Sequence, residues 1–150
     1  MNSFIDNIST LILRDLDKLE KEIALYPNTD SIWLVKGEIK NPAGNLALHL
    51  CGNLQHYIGA VLGNTGYIRD RPKEFSLTGI SAKDLVLEII KTKDAIKRTL
   101  SKLDPALLEK EYPEKVFDNP MTTQYFLIHL SAHLGYHLGQ VNYHRRLTIG

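Results

Sequence analysis

The sequence predicts an all-α fold, a four-helix bundle with long crossover connections, and three observations carry that expectation. Apolar residues recur at three- and four-residue steps along four long stretches. No stretch shows the two-residue alternation of a half-buried strand. The helical stretches would hold roughly 90 residues, well above the helical share of an average soluble domain. With 150 residues and 43% of them apolar, the chain can bury one substantial core and is read as a single domain over residues 1–150.

The first helix follows from Ile5, Ile8, Ile12, Leu16, Leu19 and Ile23, with Pro27 ending the stripe. The second is expected to start at Asn41-Pro42, an N-cap followed by proline at the first helical position. It carries Leu46, His49, Leu50, Asn53, Leu54, Tyr57 and Val61, and Gly63 and Gly66 stop it. A third begins with Ser81 and Asp84 in capping-box spacing, shows Leu85, Ile89, Ile96 and Leu100, and closes before Pro105. The fourth is expected to open at Asn119-Pro120 and to run through Phe126, Leu130, Leu134, Leu138 and Val141 to Arg146. The connections 28–40, 66–80 and 103–118 are long enough to cross an end of the bundle, so simple up-down-up-down order is not required.

Eighteen basic residues against seventeen acidic ones leave no basic field for nucleic acid, which argues against DNA or RNA as a partner. The first residues lack a basic start followed by an unbroken apolar run, and no segment is an uninterrupted apolar span, so no membrane association is expected. The lone Cys51 cannot form an internal disulfide and agrees with a reducing, cytoplasmic setting. It lies about 200° around the helix from His49 and should not share that residue's face. No GxSxG elbow, phosphate-cradling glycine loop or CxxC occurs.

The chemistry-bearing feature is the run HLSAHLGYHLGQ, which sets His129, His133 and His137 at strict four-residue spacing along one helical stripe. A single histidine on an apolar face is most often a hydrogen-bonded core residue. An HxxxH pair is different, because its rings sit about 6 Å apart on adjacent turns and can converge on one ion. His129 to His137 spans about 12 Å of helical rise, so all three cannot comfortably close on one metal. Spacing alone leaves open whether the pair is 129/133 or 133/137. His49, on the core-facing stripe of the second helix, is the best third ligand. His56 and His144 each lie seven residues beyond a candidate ligand, about 10 Å along, and are read as structural or solvent-facing.

The run HLGYHLGQV at 133–141, with a separate His49 in LALHLCGNL on an earlier helix, resembles the DinB superfamily, damage-inducible four-helix-bundle proteins that include bacillithiol-dependent transferases. The resemblance spans nearly the whole chain, including the order of helices. It implies three histidines on one divalent ion, one from the second helix and two from the last, which map to His49, His133 and His137. His129 then becomes a neighbour one turn away. The resemblance further implies that the open metal position takes a low-molecular-weight thiol of the bacillithiol type, which attacks an electrophilic small molecule. Related branches are isomerases or hydrolases.

Around such a centre, Gln140 and Asn53 are candidates to orient a ligand, and Gly139 could admit a close backbone. Three neutral imidazoles suit zinc, nickel, manganese, iron or copper, so the metal's identity stays open. Arg69 and Arg71, in YIRDRPKEF, are candidates to grip a thiol's carboxylates, against the plainer reading of 67–75 as a solvated loop. A metal-assisted hydrolase and a non-catalytic metal-binding stress-response module are the alternatives. Homodimerisation is expected from the resemblance and from the prevalence of dimers, although no exposed apolar stripe in the sequence locates an interface.

Overall fold

The computed structural model describes residues 2–149 and contains no strand among them. Four long helical segments form the bundle: α1 (Ser3–Ala24), α3 (Ala43–Leu54, continued through a π-helical turn into α4, Val61–Gly63), α6 (Ala82–Lys102) and α7 (Thr123–Ile149). Two short helices, α2 (Thr29–Ile32) and α5 (Arg71–Ser76), lie in the connections. Both α1 and α3 pack against α6 and α7, while α1 and α3 themselves barely meet. The first two long helices are therefore diagonal to each other, and the long connections cross the ends of the bundle to make that possible.

The stripe anticipated in α1 is the buried one: Ile5, Ile8, Ile12, Leu16, Leu19 and Ile23 all face the core. Asn2 caps the helix by accepting a hydrogen bond from the Ile5 amide. In α6 the Ser81 hydroxyl accepts from the Asp84 amide, as the capping spacing requires. No helix among the described residues is long and apolar enough to cross a membrane.

Helix starts differ from the sequence expectation in two places, each for a local reason. α3 starts at Ala43 with Pro42 at the N-cap and no side-chain cap bond, so Asn41 does not cap it. The last long helix begins at Thr123, several residues after Asn119-Pro120. The Tyr112 amide donates to the Met121 carbonyl and the Thr123 amide to the Lys110 carbonyl, which holds the chain extended until Thr122 caps the first turn through Tyr125. At the other end of α3, helical structure stops at Gly63 because Asn64 takes a left-handed conformation at φ 50°. Within the segment, Gln55–Ala60 widens into a π-helix that periodicity gave no sign of.

α3 is buried nearly all round, with only Leu48 partly open between Ala43 and Leu54. It touches α6, α7 and the short α5, which covers a third side. Cys51 is thus buried like His49, and burial pushes its thiol up to about 12, which leaves it inert at neutral pH.

His144 closes the first crossover. Its Nε2 lies 2.8 Å from the Leu34 carbonyl and its Nδ1 2.6 Å from the Tyr26 hydroxyl. An N–H at Nε2 donates to Leu34, so Nδ1 accepts from Tyr26. The bond to Tyr26 sits where water is scarce, His144 being 2% exposed and Tyr26 6%. Tyr26→Phe leaves Nδ1 without its donor and should cost about 1–3 kcal/mol, read as a lower urea midpoint with unchanged m-value.

Candidate metal centre

Adjacent packing of α3 and α7 brings the three predicted histidines together. His49 is buried on α3, while His133 and His137, one turn apart on α7, are half-buried. Nε2 of His133 lies 3.2 Å from Nε2 of His49 and 3.1 Å from Nε2 of His137, and the three nitrogens fall within 4.8 Å of one another. Neighbouring rings stand nearly perpendicular, at 75° and 86°, with their Nε2 atoms turned towards one another.

The outer nitrogens decide what the inner ones can do. His49 Nδ1 lies 3.0 Å from a Glu74 carboxylate oxygen, and His137 Nδ1 lies 2.7 Å from the Gln140 amide oxygen. Both are acceptors only, so each Nδ1 carries the proton and each facing Nε2 a lone pair. His133 can direct at most one Nε2–H at its two neighbours. At least one pair of lone pairs therefore faces across about 3 Å with no proton between, an arrangement a cation relieves. Nitrogens bound tetrahedrally at about 2.0–2.1 Å from zinc stand roughly 3.3 Å apart. The two close separations here fit that spacing, and the three histidines could hold a metal ion.

Burial pushes His133 down to about 4, and the positive charge that His137, His49, His129 and Arg69 would place nearby pushes the same way. His137 is lowered too, first by burial. Both groups are thus kept neutral and ready to donate lone pairs at neutral pH. The linkage sign is that of a base with a depressed folded value: below its ordinary value near 6.5 the unfolded chain takes up the proton first. Metal-free protein should accordingly lose stability as pH falls from about 6.5 towards about 4, and change little on this account below that. Urea midpoints of chelator-treated protein across that range check the direction.

Residues 67–75 are only in part a solvated loop: most of their side chains are exposed, but Arg71–Ser76 form α5. Asp70 caps it by accepting from the Lys73 amide, and Pro72 sits in its first turn. Glu74 is its one buried residue, 5% exposed. One carboxylate oxygen meets His49; Arg69 donates to both, with Nε at 2.8 Å and Nη2 at 2.9 Å. Burial raises the Glu74 carboxyl, but the bonds from His49 and Arg69 outweigh it and hold the group below its usual range. The two arginines therefore differ. Arg69 has these donors committed to Glu74, whereas Arg71 is exposed and lies over the Phe75 ring, which in turn packs on His49.

The other candidates are placed unevenly around the cluster. Gln140 orients His137 directly. His129 stacks on Phe126 and, at 6.2 Å between centroids, on His133, so it walls the cluster without joining it. Asn53 is buried, and its Oδ1 has no partner among the described residues. Gly139 admits no close backbone, since a Cβ there would meet nothing within 4 Å. The glycines that do permit close approach are Gly44, against the Trp33 indole, Gly52, against Glu74, and Gly63, against Thr99. His56 pairs with Glu114 at 3.0 Å, away from the cluster. Sequence reasoning missed Glu74. The signal was Asp70 two residues before Pro72, a helix start that would have set Glu74 in a first turn.

Fold and cluster together define a class: an all-α bundle with a three-histidine candidate metal centre between two long helices. Over its whole length the chain is similar to a conserved protein of locus from Enterococcus faecalis, known from its crystal structure, with a TM-score of 0.80 at 19% identity. The match covers 100% of this chain and 99% of that one, and shows the fold alone. No protein-family model matches the chain, and no curated protein matches it.

Proposed function

We propose that His49, His133 and His137 hold one divalent cation through their Nε2 atoms, and that the protein is a DinB-like, metal-dependent transferase of a low-molecular-weight thiol to electrophilic small molecules. The observation that carries the metal reading is the convergence of three imidazole nitrogens with no proton to share between at least one facing pair. The donor set is all imidazole nitrogen, which suits zinc, nickel, manganese or iron. Thiol transfer is supported by the sequence resemblance and by the count of ligands, since three protein donors leave a coordination position for substrate.

When bound, the ion supplies positive charge that lowers the pKa of a thiol or water beside it. This chain's own residues do the rest. Glu74 and Gln140 keep Nδ1 of His49 and His137 protonated and so aim Nε2 inward. Phe75 and His129 flank the cluster with apolar ring faces, limiting water. Arg71, exposed beside Phe75, is free to meet a carboxylate of an arriving thiol. The test adds bacillithiol or cysteine to cobalt-loaded protein. A new charge-transfer band, lost in His137→Ala, is expected. An unchanged spectrum at saturating thiol overturns the transferase reading and leaves water as the nucleophile, or no turnover at all.

The homodimer expected from the resemblance has a face to use. Tyr125, Ile128, Ala132, Tyr136, Tyr143 and Leu147 form an exposed stripe along α7, and no Asp, Glu, Lys or Arg occurs between Thr123 and Tyr143. Antiparallel two-fold pairing about Tyr136 sets Tyr125 against Leu147 and brings Ile128 within a residue of Tyr143, with the small Ala132 and Gly139 between. An uncharged, self-complementary stripe of this kind favours a second copy over a charged partner. Light scattering should give twice the monomer mass for the wild type and the monomer mass for Tyr136→Glu. A wild-type monomer at all concentrations overturns this.

A further inference from the structure

The metal reading says nothing of how residues 66–79 are held to the bundle, and their contacts are unusual. The segment buries no large apolar residue: Ile68 is 90% exposed, and Phe75 and Leu77 stay more than a third exposed. Its one buried side chain is a carboxylate. The hydrogen bonds that tie it to α3 are few. The Asn45 amide donates to the Glu74 and Leu77 carbonyls at 2.9 Å, and Glu74 meets His49. A segment docked by polar contacts with so little apolar burial is poised near the low end of local stability.

We infer that Glu74 is a positioning residue for the metal centre, and that through His49 the binding of an ion and the docking of residues 66–79 are coupled. The inference rests on the metal reading above and deepens it. Three independent features converge on the carboxylate. Arg69 grips both oxygens and fixes the plane of the group. Gly52 of α3 leaves the space the carboxylate occupies, since a Cβ there would overlap Glu74 Oε2. Glu74 then accepts from His49 Nδ1, which holds His49 in the tautomer whose Nε2 faces His133.

Coupling follows from electrostatics. A cation at Nε2 withdraws electron density through the imidazole ring and makes Nδ1–H a stronger donor, so the bond to Glu74 is worth more with the ion bound than without it. By linkage, what strengthens docking on ion binding must strengthen ion binding on docking. Gly52 is thus a residue whose missing side chain serves the metal, although it lies off the metal's own contacts.

Zinc titration and amide hydrogen exchange of the full chain test this, in the wild type and in Glu74→Gln. In the wild type, zinc should slow exchange across 66–79 beyond its effect on α1, which has no ligand. Glu74→Gln should bind zinc 10- to 100-fold more weakly, the usual range for losing a ligand's outer hydrogen-bond partner. Its exchange in 66–79 should be fast with or without the ion. Gly52→Ala, which keeps the carboxylate but denies it its place, should behave like Glu74→Gln. Equal zinc affinity in folded Glu74→Gln and wild type overturns the inference, as does exchange in wild-type 66–79 that zinc leaves unchanged. The wild-type exchange measurement decides alone if neither variant folds. Wild type that binds no zinc, or a His133→Ala variant that keeps it, overturns the metal reading first, and this inference with it.

Discussion

His133→Ala should abolish stoichiometric zinc binding and, with it, any rise in thermal midpoint on adding zinc. His133 is the middle nitrogen, within 3.2 Å of both others, so its loss leaves two ligands on different helices with nothing between. The expected loss exceeds the roughly 100-fold cost of disturbing an outer partner. In the wild type, an ion at 100 times its Kd stabilises the native state by about 2.7 kcal/mol. For a chain of this length that is a rise of roughly 5–10 °C. Calorimetry with and without zinc reads both proteins. Since His133 is itself half-buried with Nδ1 unpartnered, the metal-free variant should fold about as well as metal-free wild type. A zinc-dependent rise that survives in His133→Ala would remove the cluster as the site.

Phe126→Ala should carry the largest cost in stability, about 3–5 kcal/mol. Phe126 is 1% exposed, and its ring packs against Tyr57 of α3, Tyr112 and Phe117 of the last crossover, and His129 one turn along. Its removal opens a cavity shared by three segments, and rigid aromatic neighbours cannot collapse into it. Urea unfolding should show the drop in midpoint. Zinc affinity should fall less than in His133→Ala, because the ring packs on His129 and Tyr57 and on none of the three ligands. A loss under about 1 kcal/mol would mean that the crossover refills the space.

How much of this was legible beforehand differs by kind of interaction. The α1 stripe from Ile5 to Ile23 was legible because a helix with one buried face writes its period into the sequence. The convergence of His49 with His133 and His137 was legible in part. Four-residue spacing named the stripe, but choosing 133/137 over 129/133 took the family resemblance. α5 was not legible from periodicity, because a helix of six residues has too few turns to show a period and its buried residue is a glutamate; only Asp70 ahead of Pro72 marked its start. The exposed stripe on α7 escaped for another reason. That helix mixes apolar and polar residues on every face, so no contrast in the sequence separates the inward side from Tyr125, Tyr136 and Tyr143. The late start of α7 depended on backbone bonds between 110–112 and 121–123, which residue preferences do not encode.

The diagonal placement of α1 and α3 sets the order in which a growing chain can acquire structure. As the polypeptide leaves the ribosome, its first two long helices have no mutual face on which to bury Ile12, Leu16 or Leu50. Their proper partners, α6 and α7, are still to be made. α6 offers the first surface that both can share, and only α7 completes the enclosure. His49 therefore waits for the two histidines it faces, and the cluster closes only as α7 arrives. A nascent chain halted before Thr123 would hold helices without a finished interior, and would be a natural client for chaperones that recognise exposed apolar surface.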